Sequence, residues 1–522
     1  MKIPAARDNA AWCREVPFIH GLIKDASAGR CRGKRRMRCY DTHTLRGADR
    51  VLPTPFQVIL DAHESRPELV CTGVLRHLPG KRLVCSGTRG GGEPVVAKIF
   101  LDPSGADRHY RRELQGIKAL QEAGIATPEL LFQGRLADGQ APVLLLREMH
   151  GFDNLSERLE RCGQDRRMET LRPVVEAIAG LHAAGLKQRD IHPGNFLLSG
   201  SRVMIIDGDD IEKPGPAPLS HRESLSNLAL FFAQFHPAFD ALAPHLMAVY
   251  HACRHWPTPS DTSESIAIAI QRWRKWRLKR FLPKIQRSCT AFFVQKQWRR
   301  FMACDRAWYV PAHQALLDDP DAFIETGTVL KAGNRGTVAK LSIDGREIVV
   351  KRYNIKSMAH AISRGLRPSR AMVSWENAHR LRFLGIRTPR PLAVIEERWG
   401  IRRKRAFFFM AHRPGITIDQ ALRGALDNPQ AVNHYLDLLG DLLKQLAAAL
   451  ISHGDCKATN FLLSSQGLYL VDLDGMRAHR FKSAHRRAFR RDMDRLLCNW
   501  QDLPQVQCGL EARIKKALEE EV

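Results

Sequence analysis

The chain is 522 residues long, carries 81 Lys and Arg against 55 Asp and Glu, and is 44% hydrophobic. That length and apolar share exclude a disordered chain and a single ordinary domain, and leave room for two or three globular ones. A formal net charge of +26 favours polyanionic company, whether anionic membrane, phosphorylated substrate or nucleic acid, without choosing among them.

The 12 cysteines are scattered and form no CxxC pair, which reads as reduced thiols in a cytosolic protein. His251, Cys253 and His255 fit no zinc spacing and read as helix surface and core. The first residues lack the apolar centre of a secretory signal, and the most apolar stretch, LALFFAQF, is soon broken by His236, Pro237 and Asp240. A cytoplasmic location is expected, extending to peripheral contact with the inner face of the cytoplasmic membrane.

Taken in chain order, residues 1–50 are expected to form a basic, flexible tail, with residues 1–36 dispensable. A first domain is expected over residues 51–260. It opens on three strands, LVCTGVLRHLPG, KRLVCSG and EPVVAKIF, followed by the helical RRELQGIKALQEAG, further strands, and a helix that stops at Gly185. Residues 261–310 hold a basic helical segment that closes this domain or links it to the next. There Arg272, Arg274, Lys275, Arg277, Lys279, Arg280, Lys284 and Arg287 alternate with Trp273, Trp276 and Phe281. Such a helix suits an anionic membrane surface or a solvated domain end equally well. Residues 311–522 are expected to form a second domain. FIETGTVLKAG, TVAKLSID and REIVVKRY read as strands, with Asp344 and Gly345 as a hairpin turn, and helices follow.

The two halves carry the same polar residues in the same order. A strand delivers Lys98 or Lys351, and a helix delivers Glu113 or, less closely aligned, Glu376. RDIHPGNFLL then supplies Asp190 and Asn195, and HGDCKATNFLL supplies Asp455 and Asn460, each asparagine five residues after its aspartate. Asp207 and Asp472 follow twelve residues later, in IIDGDD and LVDLDG. One such spacing means little, because loops are rich in both residue types; the ordered recurrence is informative. Phosphoryl transfer needs this set: a lysine on the donor phosphates, an acid to orient it, hard oxygen ligands for Mg²⁺, and a carboxylate to take the acceptor's proton. Asp190 and Asp455 are therefore the expected catalytic bases, and Asn195, Asp207, Asn460 and Asp472 the metal ligands. Gly333 and Gly336 offer a phosphate-covering loop in the second half. The first half offers only Gly80, followed by Lys81 and Arg82. Lys457, two residues after Asp455, is placed to approach the phosphates, as is His192 after Asp190.

These phrases, together with GIRTPRPLA and RSCT at Arg287–Thr290, resemble the bacterial lipopolysaccharide-core sugar kinases, which phosphorylate Kdo or heptose. The resemblance covers most of residues 51–500, one copy in each half. It implies an α+β fold of two tandem protein-kinase-like bilobal domains, with a small β-rich lobe, a larger helical lobe and ATP between them. It further implies Mg²⁺ as cofactor and lipopolysaccharide core or another phosphorylated glycan as partner. A protein or small-molecule kinase of the same fold, or a pseudokinase scaffold at the membrane, stands as the alternative. Nucleic acid is not an expected partner, since it would explain the basic segment but not the duplicated polar sets.

Overall fold

The computed structural model describes residues 37–49, 51–61, 68–333, 336–354, 368–399 and 402–519. The chain divides into two compact units, with the division in sequence after Arg274.

In the first unit, alternating burial of Phe56, Val58 and Leu60 marks a strand with one face on a core. That strand, Phe56–Asp61, pairs with both Glu68–Leu78 and Leu130–Leu136, so the sheet closes on itself. Its central members are Arg82–Arg89, Glu93–Phe100 and Pro142–Arg147, all antiparallel. Helix Ala106–Glu122 packs against this sheet and buries Glu113, Gly116, Ile117 and Leu120. A second, helical core gathers Val174, Val175 and Ile178 of helix Arg167–Ala183 around Phe231 and Tyr250. Helix His221–Phe232 enters that core through a reciprocal cap between Ser220 and Glu223. Each fully buried large apolar side chain there contributes about 1.5–3 kcal/mol.

The expected tail is shorter than 50 residues. Arg38–Cys39 pairs with Phe56 and Gln57, Leu45 is fully buried, and Thr42 donates to Asp138 through both N (2.8 Å) and Oγ1 (2.9 Å). Residues 1–36 lie outside the described residues.

The second unit also starts earlier than expected. Strands Phe292–Lys296 and Arg300–Asp305 extend its seven-stranded sheet beyond Pro391–Trp399, and Ile285 lies in its core. The middle of the sheet is Gly336–Ile343, Arg346–Tyr353 and Arg402–Ala411. The expected hairpin forms, with Asp344 and Gly345 both at positive φ. FIETGTVLKAG is not strand throughout. Its first residues end helix Pro320–Thr326, because Asp319 caps Ala322 N and Pro320 suits the first helical position. The strand begins only at Thr328.

The basic segment is helix Thr262–Phe281. Ile266, Ile270, Arg274 and Leu278, every fourth residue, are buried, while Ile268, Arg272, Lys275, Trp276, Lys279 and Arg280 are exposed. Arg274 makes a two-pronged ion pair with Asp240 (2.7 Å for both bonds), which removes it from any polyanion-binding set.

Candidate active site

In the first unit Lys98 sits mid-strand between Val84 and Leu144. Its Nζ donates to the Glu113 carboxylate and to the Ile206 carbonyl (2.8 Å). Arg82 donates to the other oxygen of Glu113 (2.8 Å), and Gly208 N adds a third contact (3.1 Å). Glu113 is fully buried, so its charge is tolerable only because two cations and an N–H surround it. Helix and loop approach without side chains between them. A Cβ on Gly116 would lie 2.0 Å from Gly208 O, and one on Gly208 would lie 2.4 Å from Glu113 O. Asp207 stands immediately before Gly208 in this loop. Burial works to raise its pKa, but Lys98 and Arg82 outweigh that and hold it below the usual carboxylate value.

Asp190 is exposed and Asn195 is buried. Asn195 Nδ2 donates to the Asp190 carbonyl at 3.1 Å, and in the second unit Asn460 Nδ2 donates to the Asp455 carbonyl at 2.9 Å. A carbonyl only accepts, so each amide must turn its nitrogen inward, which leaves its oxygen for another partner. Gly80, at positive φ, makes the turn whose Lys81 carbonyl accepts from Leu101 N (2.8 Å) and pins the turn to the lysine strand's end.

The second unit treats its lysine differently. Lys351 donates to Asp472 and to Asp474 (3.1 Å), and Arg370 pairs with Asp474 (2.8 Å). Burial alone would lower the Lys351 pKa; Tyr353, Asp474 and Asp472 more than offset that and raise it. Asp472 is in turn held low, Lys351 outweighing its burial, and it occupies the left-handed region at φ 61°. Aspartate tolerates that region better than bulky residues do, and such backbones cluster at functional sites.

Glu376 is not the lysine's partner. It pairs with Arg380 one turn along its own helix, Arg370–Phe383, at 2.6 Å. The position matching Glu113, eleven residues before the glycine that ends the helix, is Ser374. Two residues beyond it, a helix has turned by about 200°, which points Glu376 away. Ser374 is buried and bonded to Tyr353 Oη at 2.9 Å.

Gly333 and Gly336 pair across the ends of their two strands, and the loop tip at 334–335 lies outside the described residues. A Cβ on Gly336 would lie 2.4 Å from Arg352 O, so close strand contact requires that glycine. Lys457 meets Asp455 at 2.9 Å, with both side chains partly exposed.

Two groups missed in the sequence hold the loops that carry the aspartates. Asp492, on helix Lys482–Leu497, accepts from His453 N and from Gly454 N (2.9 Å). Its counterpart Asn227 donates to the Gln188 carbonyl at 2.9 Å. Each pair is separated by 39 residues, a repeated offset that could have revealed both. Asp474 was legible too, since Asp209 stands equally far after Asp207.

A strand lysine bonded to the aspartate loop, together with a loop whose asparagine is turned inward, is the arrangement of a kinase-like domain, here present twice. The sequence model of the lipopolysaccharide kinase (Kdo/WaaP) family matches residues 100–238 and 325–512, more than half of the chain, and the chain belongs to that family. It is an ATP-dependent kinase that phosphorylates a sugar hydroxyl of the lipopolysaccharide core, on the tandem protein-kinase-like fold. Among solved structures it is similar to WaaP in complex with acyl carrier protein (21% identity, 39% of this chain, 89% of that one, TM-score 0.30). It is also similar to a rhoptry kinase from Toxoplasma gondii (12% identity, 46% of this chain, 90% of that one, TM-score 0.30). A third is the PknI kinase domain of Mycobacterium tuberculosis (19% identity, 39% of this chain, 95% of that one, TM-score 0.27). No curated protein matches the chain.

Proposed function

We propose that each half holds its own phosphoryl-transfer site and that the two act on different hydroxyls. The observation that carries this reading is the repeated bond from Asn195 and Asn460 to the carbonyls of Asp190 and Asp455. It fixes the same loop geometry twice. Asp190 and Asp455 take the proton of the acceptor hydroxyl; both side chains reach solvent, where an acceptor can approach. Lys98 and Lys351 hold the donor phosphates, with Gly80 in one half and Gly333 and Gly336 in the other beneath the covering turn. Lys457 adds permanent charge beside Asp455.

Asn195 with Asp207, and Asn460 with Asp472, fit Mg²⁺: a carboxylate held ionised and an amide oxygen left free are hard donors, to which phosphates and waters add the rest. When bound, the ion neutralises charge on the phosphates. Asp190→Ala and Asp455→Ala should each remove one phosphate from the product, at different positions, as read by mass spectrometry of the core. A single variant that removes all phosphate, with the other silent, would refute two working sites.

The acceptor is lipid-anchored in this reading, and the exposed face of Thr262–Phe281 supports contact with the anionic inner membrane surface. Among the described residues no helix is long and apolar enough to cross a membrane.

A further inference from the structure

We propose that the second half recognises its acceptor by phosphate groups the glycan already carries, through an arginine face on the helix that anchors its catalytic loop. This deepens the reading of the second half as a phosphotransferase site and rests on it.

From Arg477 to Arg495 the chain carries Arg477, Arg480, Arg486, Arg487, Arg490, Arg491 and Arg495, all exposed. None of the seven forms an ion pair among the described residues, although the same unit pairs many other arginines, Arg423 and Arg513 among them. Two acids lie in this stretch. Asp492 is buried and committed to the loop N–H groups, and Asp494 alone faces outward. On helix Lys482–Leu497 the buried side is His485, Phe489, Asp492, Met493 and Leu496. Arg486 and Arg490 form one exposed row along its flank, and Arg487, Arg491 and Arg495 form a second further round the helix. Like charges four residues apart destabilise a helix, and an anion lying across both rows would offset that repulsion.

The face is tied to the chemistry. Asp492 holds His453 N and Gly454 N, immediately before Asp455. Arg477 lies on a strand paired with Ile451–Ser452, which leads into the same loop. The matching helix of the first half, His221–Phe232, has Arg222 as its one arginine and buries most of its remaining length. The two halves thus share a transfer site but differ in what lies beside it. Guanidinium groups match phosphate oxygens bidentately, so the partner chemistry is phosphate displayed on the glycan. A phosphoryl transfer onto that glycan must then precede the second half's reaction.

The test compares the full chain with a variant carrying Arg486→Gln, Arg487→Gln, Arg490→Gln and Arg491→Gln. The probes are deacylated, phosphorylated core oligosaccharide, the same material after phosphatase treatment, and phosphatidylglycerol vesicles. The variant should bind the phosphorylated probe about tenfold or more weaker, with a shallower salt dependence. Mg-ATP affinity and thermal midpoint should be unchanged, and the matching lysine variant should regain most of the binding. Phosphatase treatment should erase the difference. Equal binding by parent and variant, or a loss confined to vesicles, would overturn the proposal. Transfer by the Asp190→Ala chain, measured in parallel, tests the second half as an enzyme separately from this surface.

Discussion

Asp492 reaches across 38 residues to accept the backbone N–H of Gly454 at 2.9 Å, one residue before the proposed base Asp455. A side chain on another element thereby holds the backbone that carries Asp455. Asp492→Ala should leave two loop N–H groups without their acceptor. Hydrogen bonds to charged groups are worth about 1.5–3 kcal/mol, so the loop should loosen rather than the domain unfold. Turnover in the Asp190→Ala background should fall roughly 10- to 100-fold with KM for ATP unchanged. Equal turnover would refute the positioning role.

The two lysines should respond to different acids. Glu113→Gln breaks a buried pair and should cost about 3–5 kcal/mol, measured by denaturant unfolding, along with ATP binding in the first half. Glu376→Gln, a partly exposed residue bonded within its own helix, should change stability by less than about 0.5 kcal/mol. Asp474→Asn, not Glu376→Gln, should weaken ATP binding in the second half, by about tenfold if the lost contact is worth about 1.4 kcal/mol.

His182 gives the first unit a pH dependence. It is buried, its Nε2 donates to Asn227 Oδ1 (3.0 Å), and its Nδ1 then accepts from Tyr250 Oη (2.9 Å). Burial lowers its pKa from 6.5 to about 4. Between those values the unfolded chain binds a proton that the folded chain refuses. Its contribution is therefore fully present above pH 6.5 and lost as pH falls through about 4, on the order of 3 kcal/mol. Unfolding of the first unit followed from pH 7 to pH 4 should show this loss, and His182→Gln should flatten it.

Charge reversal at Arg272, Lys275, Lys279 and Arg280 should abolish salt-sensitive sedimentation with anionic vesicles, whereas Arg274→Gln should act on stability through Asp240. Vesicle binding unchanged by the reversal would show that this helix face is simply solvated.

Much of this was readable in the chain. The strand lysines, the Asp–Asn spacing and the FLLS strands recur in order; the structure joins each asparagine to its aspartate's carbonyl, Lys98 to the Ile206 carbonyl and Lys351 to Asp472. Glu376 misled because helical spacing fixes direction, and a shift of two residues turns a side chain to the opposite face. Arg82 was visible only as a residue after a glycine. Its partner Glu113 is 31 residues away, and such a meeting depends on sheet register. The end of helix Pro320–Thr326 was read as strand because Phe323 and Ile324 lead towards the strand that follows, although Asp319 and Pro320 marked the helix start.

The glycine contact between Gly116 and Gly208 makes helix Ala106–Glu122 and the Asp207 loop a single mechanical part. Protein kinases are commonly controlled by swinging that helix outward, which separates the acid from its lysine. With backbone resting on backbone and Gly208 N bonded to Glu113, a swing here would have to drag the Asp207 loop with it. Lys98, Glu113 and the Asp207 loop are thus held together in one arrangement. Control of this half is therefore expected to act through delivery of donor and acceptor rather than through the position of this helix.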